Sequence, residues 1–384
     1  MKIIFYTAVV MTITASAVHA DVRQSGSFTV YTAPSPAQTQ AAIDYANARP
    51  MPLPAARTLP PSAADAVRQA RDPLLIFGQP GASPGQNGNG NETPVQLTAP
   101  QQIEETGPEN GFQSDEFGTS GQPYTTSRAK AYLDNNTTTQ YYPFRAAGKL
   151  FFNIGSSTFV CSASLIKPGI VVTAGHCVAN FGHSQFYSNW SFVPAYANGS
   201  APYGAWSVYQ AWIKTSYYNG TMGCYQTGVV CTGDIGILIL NSQSGSYPGS
   251  ATGWFGYGWD GWGFNGSSQA LITQLGYPVA LDGGQLMERT DSQGFVYTTF
   301  SDNTIIGSLQ TGGSSGGPWV ANLGLAPSLS GISFGSYASH NTVVGVTSWG
   351  YTDTTVKQQG ASPFASGNIV SLVNSACTSQ PAAC

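Results

Sequence analysis

The chain reads as an all-β protein, and three observations lead there. Gly (46) and Pro (24) are abundant among its 384 residues, against averages of about 7% and 5%. Aromatic residues make up 12% of the chain and charged residues only 8%, where soluble domains carry about 25% charged. From Lys149 onward, short apolar runs alternate with clusters of Gly, Pro, Ser and Asn. Short strands punctuated by such turns build barrels and sandwiches.

The elements follow in chain order. Lys2 precedes a mostly apolar run from Ile3 to Val18, and Val18-His19-Ala20 fits the small-x-Ala cleavage rule. Residues 1–20 therefore read as a signal peptide, and the exported chain begins at Asp21. The alternative is a membrane anchor, but the run is short and lacks a cationic flank. No later run approaches the roughly 20 residues of a spanning helix, so no membrane partner is expected. Residues 21–145 carry eight basic and eleven acidic side chains, and residues 146–384 only five and seven. The span 79–125 is rich in Gly, Pro, Gln, Asn, Ser and Thr, which leaves little apolar surface to offset ordering entropy. Residues 21–145 thus read as a propeptide or a flexible, largely disordered N-terminal extension, with a short helix over 63–70. The alternative is a tether that stays attached.

Residues 146–384 form the second region. Strands are expected over 150–154, 158–166, 169–173, 206–213, 234–240, 269–275, 294–300, 319–320 and 342–349. The one good helix is terminal, over 366–376, with Ile369, Val370, Leu372 and Val373 on one face. The formal net charge is −4. That balance argues against nucleic acid, whose phosphates need a clustered basic surface.

Export implies an oxidising compartment, where cysteines pair. Six cysteines allow 15 connectivities. Their spacing suggests three local bridges, Cys161–Cys177, Cys224–Cys231 and Cys377–Cys384. A zinc site is the alternative, but there is no CxxC, and neither a metal nor a cofactor is expected.

Three segments carry chemistry. In Val171-Val172-Thr173-Ala174-Gly175-His176-Cys177 a strand runs into a small-residue turn that delivers a histidine. Alone, it could be an ordinary loop histidine. In Cys231-Thr232-Gly233-Asp234-Ile235-Gly236-Ile237-Leu238-Ile239-Leu240 one acid opens an apolar strand. A carboxylate there is partly desolvated and needs a partner, such as a protonated histidine. A strand-capping Asp is the simpler alternative. In Thr311-Gly312-Gly313-Ser314-Ser315-Gly316-Gly317-Pro318 four glycines surround two serines. Without Cβ atoms, backbone N–H groups can converge there on a developing negative charge. A Gly/Ser linker is disfavoured by the apolar Trp319-Val320 that follows.

Together these segments, with Gly345-Val346-Thr347-Ser348-Trp349-Gly350, resemble the chymotrypsin-fold (trypsin-like) serine peptidases, with the secreted bacterial V8-like branch as the nearest relative. The order His, Asp, Ser is also that family's order. The resemblance covers about residues 146–376. It implies two antiparallel six-stranded β-barrels with the site between them. It implies Ser315 as nucleophile, His176 as general base and acid, and Asp234 as the residue that orients the histidine. The N–H groups of Gly313 and Ser315 would form the oxyanion hole. Ser348, Trp349 and Gly350 would hold extended substrate, with the Ser348 hydroxyl on Asp234, and Leu309 would sit at the specificity position.

Two departures stand out. The family usually places Asp just before the nucleophile, where it pairs with a freed N-terminal amine; here that residue is Ser314. The uncharged Leu309 gives no support to cleavage after Lys or Arg. A Glu-selective pocket would use a histidine near Thr347-Ser348, and only His340 lies close in sequence. The expected protein is a secreted, monomeric, zymogen-type serine endopeptidase acting on protein or peptide substrates. An inactive binding module on the same fold and an esterase using the same residues are the alternatives.

Overall fold

The computed structural model describes residues 20–34, 42–56, 79–103, 123–129, 140–266, 268–297, 303–324 and 339–384. The signal segment up to residue 19 and the helix expected over 63–70 lie outside these residues.

Twelve strands close into two six-stranded antiparallel barrels. The first holds β1 (Ala147–Ile154), β2 (Ser157–Lys167), β3 (Ile170–Thr173), β4 (Ser188–Pro194), β5 (Trp206–Lys214) and β6 (Gly236–Leu240). They run in the order β5-β4-β1-β2-β3-β6, and β6 returns to β5. The second holds β7 (Gln269–Gly276), β8 (Glu288–Tyr297), β9 (Asn303–Gly307), β10 (Pro318–Ala321), β11 (Thr342–Tyr351) and β12 (Gln358–Pro363). Their order is β10-β7-β8-β9-β12-β11, closed by the β10–β11 pairing.

Strand periodicity explains the uninterrupted apolar run in β6. Leu238 and Leu240 enter the first barrel's core. Ile237 and Ile239 point the other way, into the cluster that also holds Ile369, Leu372, Val373 and Ala376 of the C-terminal helical segment. Alternate residues face opposite sides of a strand, so a strand covered on both sides loses its polar alternation. The helix itself spans Ser371–Ser379 after a wider turn at Ser366–Val370.

Three of the twelve strands have no counterpart among the expected ones. β4 mixes polar and apolar residues and ends in proline, and β9 has only Ile305 and Ile306 as an apolar signal. β12 reads Gln-Gln-Gly-Ala-Ser-Pro and has no apolar pattern. It is a strand because β9 and β11 pair with it on both sides. Its inward polar groups find partners, Gln359 Nε2 on Gln310 O (2.7 Å) and Ser362 Oγ on Cys231 O (2.8 Å).

The described stretches of the extension lie ordered against both barrels. Phe28–Thr32 pairs with β5 and buries Phe28 and Val30. Tyr124–Arg128 pairs with β8. Residues 79–103, where composition suggests a linker, are held largely by backbone groups, with Leu97 and Ala82 packed on the core. Gln86 and Trp254 exchange N–H···O bonds, and Asn89 and Gly90 donate to Ser250 O and Ala251 O. Residues 104–122 of that span lie outside the described residues. Arg145, where the composition changes, is buried. Its guanidinium donates to Thr252 O, Asn87 Oδ1 and Gly88 O.

One contact between extension and barrel is sensitive to pH. Arg128 donates to both oxygens of Asp282, at 2.5 and 2.8 Å. Glu288 pairs with Arg128 along the ladder and is buried. Burial, then the hydrogen bond with Asp282, lifts the Glu288 carboxyl from 4.5 to about 9. The native state therefore keeps a proton that the unfolded chain releases at about its ordinary value, and this contribution to stability is lost as pH rises through that window. Glu288→Gln, always neutral, should gain thermal midpoint on the wild type steadily from about pH 5 to 8. Parallel melting curves across that range would contradict the buried neutral acid.

Candidate active site

The pairing of β3 with β6 aligns Thr173 opposite Gly236. The chain beyond β3 and the chain before β6 therefore lie side by side. His176 sits in the short helical turn Gly175–Cys177, and Asp234 lies two residues before β6. The Cys161–Cys177 disulfide ties that turn to β2, and Trp190 Nε1 donates to Cys177 O at 3.0 Å. Cys224–Cys231 and Cys377–Cys384 are also bridged.

Asp234 is 2% exposed. Its Oδ1 accepts the His176 backbone N–H at 2.7 Å, and its Oδ2 lies 2.7 Å from His176 Nδ1. The Ser348 hydroxyl donates to Oδ2 at 2.6 Å. Burial pushes this carboxyl up, but the His176 charge and hydrogen bond, with the Ser348 hydroxyl, outweigh it and hold the group below its ordinary value. An ionised carboxylate accepts only, so Nδ1 carries a proton, and in the neutral ring Nε2 is the nitrogen with the lone pair. Burial, then the charge of Asp234, lifts the phenols of Tyr187 and Tyr217, that of Tyr187 to about 12.

Ser315 comes from the second barrel and has no exposed surface. Its carbonyl accepts Ser162 N–H of β2 at 2.7 Å. Ser162 Oγ donates to Gly313 O and accepts Tyr277 N–H, both at 2.9 Å, and so stitches the barrels together under the loop. Gly313 and Gly316 have φ of +94° and +79°. A Cβ at Gly316 would overlap Thr173 Oγ1 and the Ser162 carbonyl. The Gly316 turn thus packs against the residues leading into His176. His176 Nε2 and Ser315 Oγ are both buried with no hydrogen-bond partner.

Ser314 holds the loop from within, donating to Thr311 O at 2.7 Å. Beneath it lies a network that sequence reading missed. Gln274 Nε2 donates to Thr347 Oγ1 (2.8 Å) and to Gln359 Oε1, and Ser308 Oγ donates to Gln274 Oε1 (2.7 Å). Polar residues scattered over three strands carry no local motif that could have announced it.

Beside the loop is a cavity of about 310 Å³, lined by Leu309, Gln310, Gly350, Tyr351, Val356 and Lys357 among others. No carboxylate among the described residues lines it. Trp349 does not face it, since its ring packs on Gly360 and its Nε1 donates to Asn303 Oδ1 at 2.9 Å. His340 is exposed and does not line the cavity. The remaining described acids of the barrels serve elsewhere. Asp260 accepts Ser366 N–H, Asp291 takes Arg289 and Thr273, and Asp353 takes Thr355. Asp302 lies outside the described residues. Cys161, His176 and Cys177 bring their donor atoms within 4.8 Å of one another. The two sulfurs are bonded to each other, however, and a metal ligand must be thiolate.

Comparison with known proteins gives partial relatives and a family. An extracellular metalloprotease of Bacillus subtilis is 33% identical over 125 residues, covering 32% of this chain and 35% of that protein. A glutamyl endopeptidase of Bacillus licheniformis is 28% identical over 142 residues, covering 37% of this chain and 39% of that protein. The chain thus spans under two fifths of either relative. The protease Anisep from Arthrobacter nicotinovorans superposes with a TM-score of 0.47 at 25% identity, over 62% of this chain and 95% of that one. The Trypsin family model matches residues 134–366, more than half of the sequence and all twelve barrel strands. The chain belongs to the trypsin family of chymotrypsin-fold serine peptidases.

Proposed function

We propose that this protein is an exported serine endopeptidase of the V8-like branch that works through an acyl-enzyme on Ser315. One observation carries the reading. A buried carboxylate fixes one ring nitrogen of His176, while the other nitrogen and the Ser315 hydroxyl are left unpaired in the same cleft.

In this mechanism Ser315 Oγ passes its proton to His176 Nε2 as it bonds to the substrate carbonyl carbon. The oxyanion that forms is met by the N–H groups of Gly313 and Ser315. His176, now cationic, is stabilised by Asp234 and gives the proton to the leaving nitrogen, which departs as the amine. Water then attacks the ester with His176 again as base, releasing the carboxylic acid and the free serine. The backbone of Ser348–Gly350 and the cavity beside Leu309 hold the acyl side. Among the described residues Lys357 is the only cation lining that cavity and no carboxylate faces it, so substrates with Lys or Arg there are disfavoured. Export is supported by the apolar N-terminal run and by three disulfides. Among the described residues no helix is long and apolar enough to cross a membrane.

Activation in this reading removes part of residues 21–145 without creating an ion pair at the new N-terminus. Ser314 has no charge to offer, and its hydroxyl is already bonded within the loop. Processed chains beginning at Arg145, Ala146 and Ala147 should hydrolyse a peptide ester at the same rate. Loss of activity on adding a single residue would show that an ion-pair switch operates.

Asp234→Asn should keep the fold and lower kcat on a peptide ester about 10⁴-fold, about 5 kcal/mol of barrier, because the amide favours the wrong histidine tautomer. Asp260→Asn, at a carboxylate that accepts the Ser366 N–H, should turn over as the wild type does. An Asp234→Asn protein retaining more than about a tenth of wild-type kcat would remove this residue from the mechanism.

A further inference from the structure

Residues 49–56 lie in the cleft just described. Arg49–Pro50 pairs parallel with Phe159–Val160 of β2, and Met51 N–H donates to Val160 O at 2.8 Å. The Met51 carbonyl accepts the Gly313 N–H at 3.2 Å. Pro54 O accepts Gly350 N–H at 2.9 Å, and Ala55–Ala56 pairs parallel with Gly350–Tyr351 of β11. Pro52, Leu53 and Ala55 line the same cavity as Leu309. Ala56 is buried in a cluster with Val230, Phe295, Ile305 and Trp349.

We propose that residues 49–56 are a built-in blocking segment that occupies the substrate cleft in the direction opposite to a cleavable peptide. This inference rests on the catalytic reading of Ser315 and His176. The segment takes a hydrogen-bond donor of the oxyanion hole, the edge of the Ser348–Gly350 strand and part of the side-chain cavity. Ser315 has no exposed surface in this arrangement.

Direction follows from the chemistry of the leaving group. The departing nitrogen must receive the proton of His176, so it must lie on the first-barrel side, where the Cys161–Cys177 bridge joins the His176 turn to β2. At Met51 the neighbour on that side is Pro50, which precedes the carbonyl. The nitrogen that would depart belongs to Pro52, which faces the second-barrel cavity, away from the base. The segment therefore offers its carbonyl to the hole while placing the bond out of reach of proton transfer. Prolines at 50, 52 and 54 add to this. Each fixes φ near −65° and removes an N–H, so the segment is extended before it docks and loses little entropy on binding.

The test uses the full chain. Ala56→Arg places a cation among apolar residues, and Leu53→Asp places a carboxylate where a leucine packs on Gly350. Either variant should hydrolyse a peptide ester at least about tenfold faster than the wild-type full chain. A synthetic peptide of residues 49–56 should then inhibit both variants and stay intact by mass spectrometry. Variants no faster than an active wild type would overturn the proposal, and cleavage of the peptide after Met51 would overturn its direction. If no chain hydrolyses the ester, the catalytic reading fails by itself. Binding of a fluorescently tagged 49–56 peptide to the Leu53→Asp chain then decides the blocking role: saturable binding supports it, and no binding overturns it.

Discussion

The structure of the site depends on one buried carboxylate. Asp234 has given up its hydration inside a domain almost free of charge, and an isolated carboxylate there would carry a penalty of several kcal/mol. Three donors offset it: the His176 ring, the His176 backbone and the Ser348 hydroxyl. Two come from the turn after β3 and one from β11, so satisfying the charge also fixes those two pieces of chain relative to the start of β6, where the acid stands. The imidazole is left with one free nitrogen aimed away from the acid.

The rest of the molecule protects that geometry. β3 and β6 are held in register, and a disulfide locks the histidine turn to β2. Across the cleft, Ser162 reaches from the first barrel into the loop that carries Ser315 and binds it through its backbone N–H and its hydroxyl, while its carbonyl accepts Thr173 Oγ1 of β3 at 2.9 Å. Under the loop, glutamine, serine and threonine side chains satisfy one another in place of an apolar core. A buried network in which the Gln274 and Gln359 amides and the Ser308 hydroxyl find partners favours one arrangement, because a slip leaves a donor unpaired. That is how a loop carrying four glycines keeps one shape.

The sequence announced the site more clearly than the fold around it. His176, Asp234 and Ser315 stand in short segments whose residue types each have a chemical reason; the structure bonds His176 to Asp234 and packs the Gly316 turn against Thr173 and Ser162. Ser348 was legible for the same reason, since its segment completes the pattern. The cavity walls were not: Gln310, Gln359 and Lys357 meet only after the second barrel closes. β12 was invisible because its pairing comes from neighbours on both sides rather than from its own pattern. Trp349 looked like a cleft residue, yet strand alternation turns its ring into the barrel. Residues 79–103 read as linker because composition reports apolar surface and is blind to backbone hydrogen bonds along an exposed edge. The run Arg49-Pro50-Met51-Pro52-Leu53-Pro54 gave no warning of where it lies, since nothing local to it points at the cleft.

The central claim is that Asp234 selects the Nδ1–H tautomer of His176 and so leaves Nε2 bare to accept a proton. Nitrogen NMR of the chain with labelled histidines measures this directly, with the His176 signals assigned through a His176→Gln protein. The account predicts a protonated Nδ1 and an unprotonated Nε2 in the neutral ring, and exchange of the two in Asp234→Asn. A neutral His176 carrying its proton on Nε2 in the wild type would contradict it.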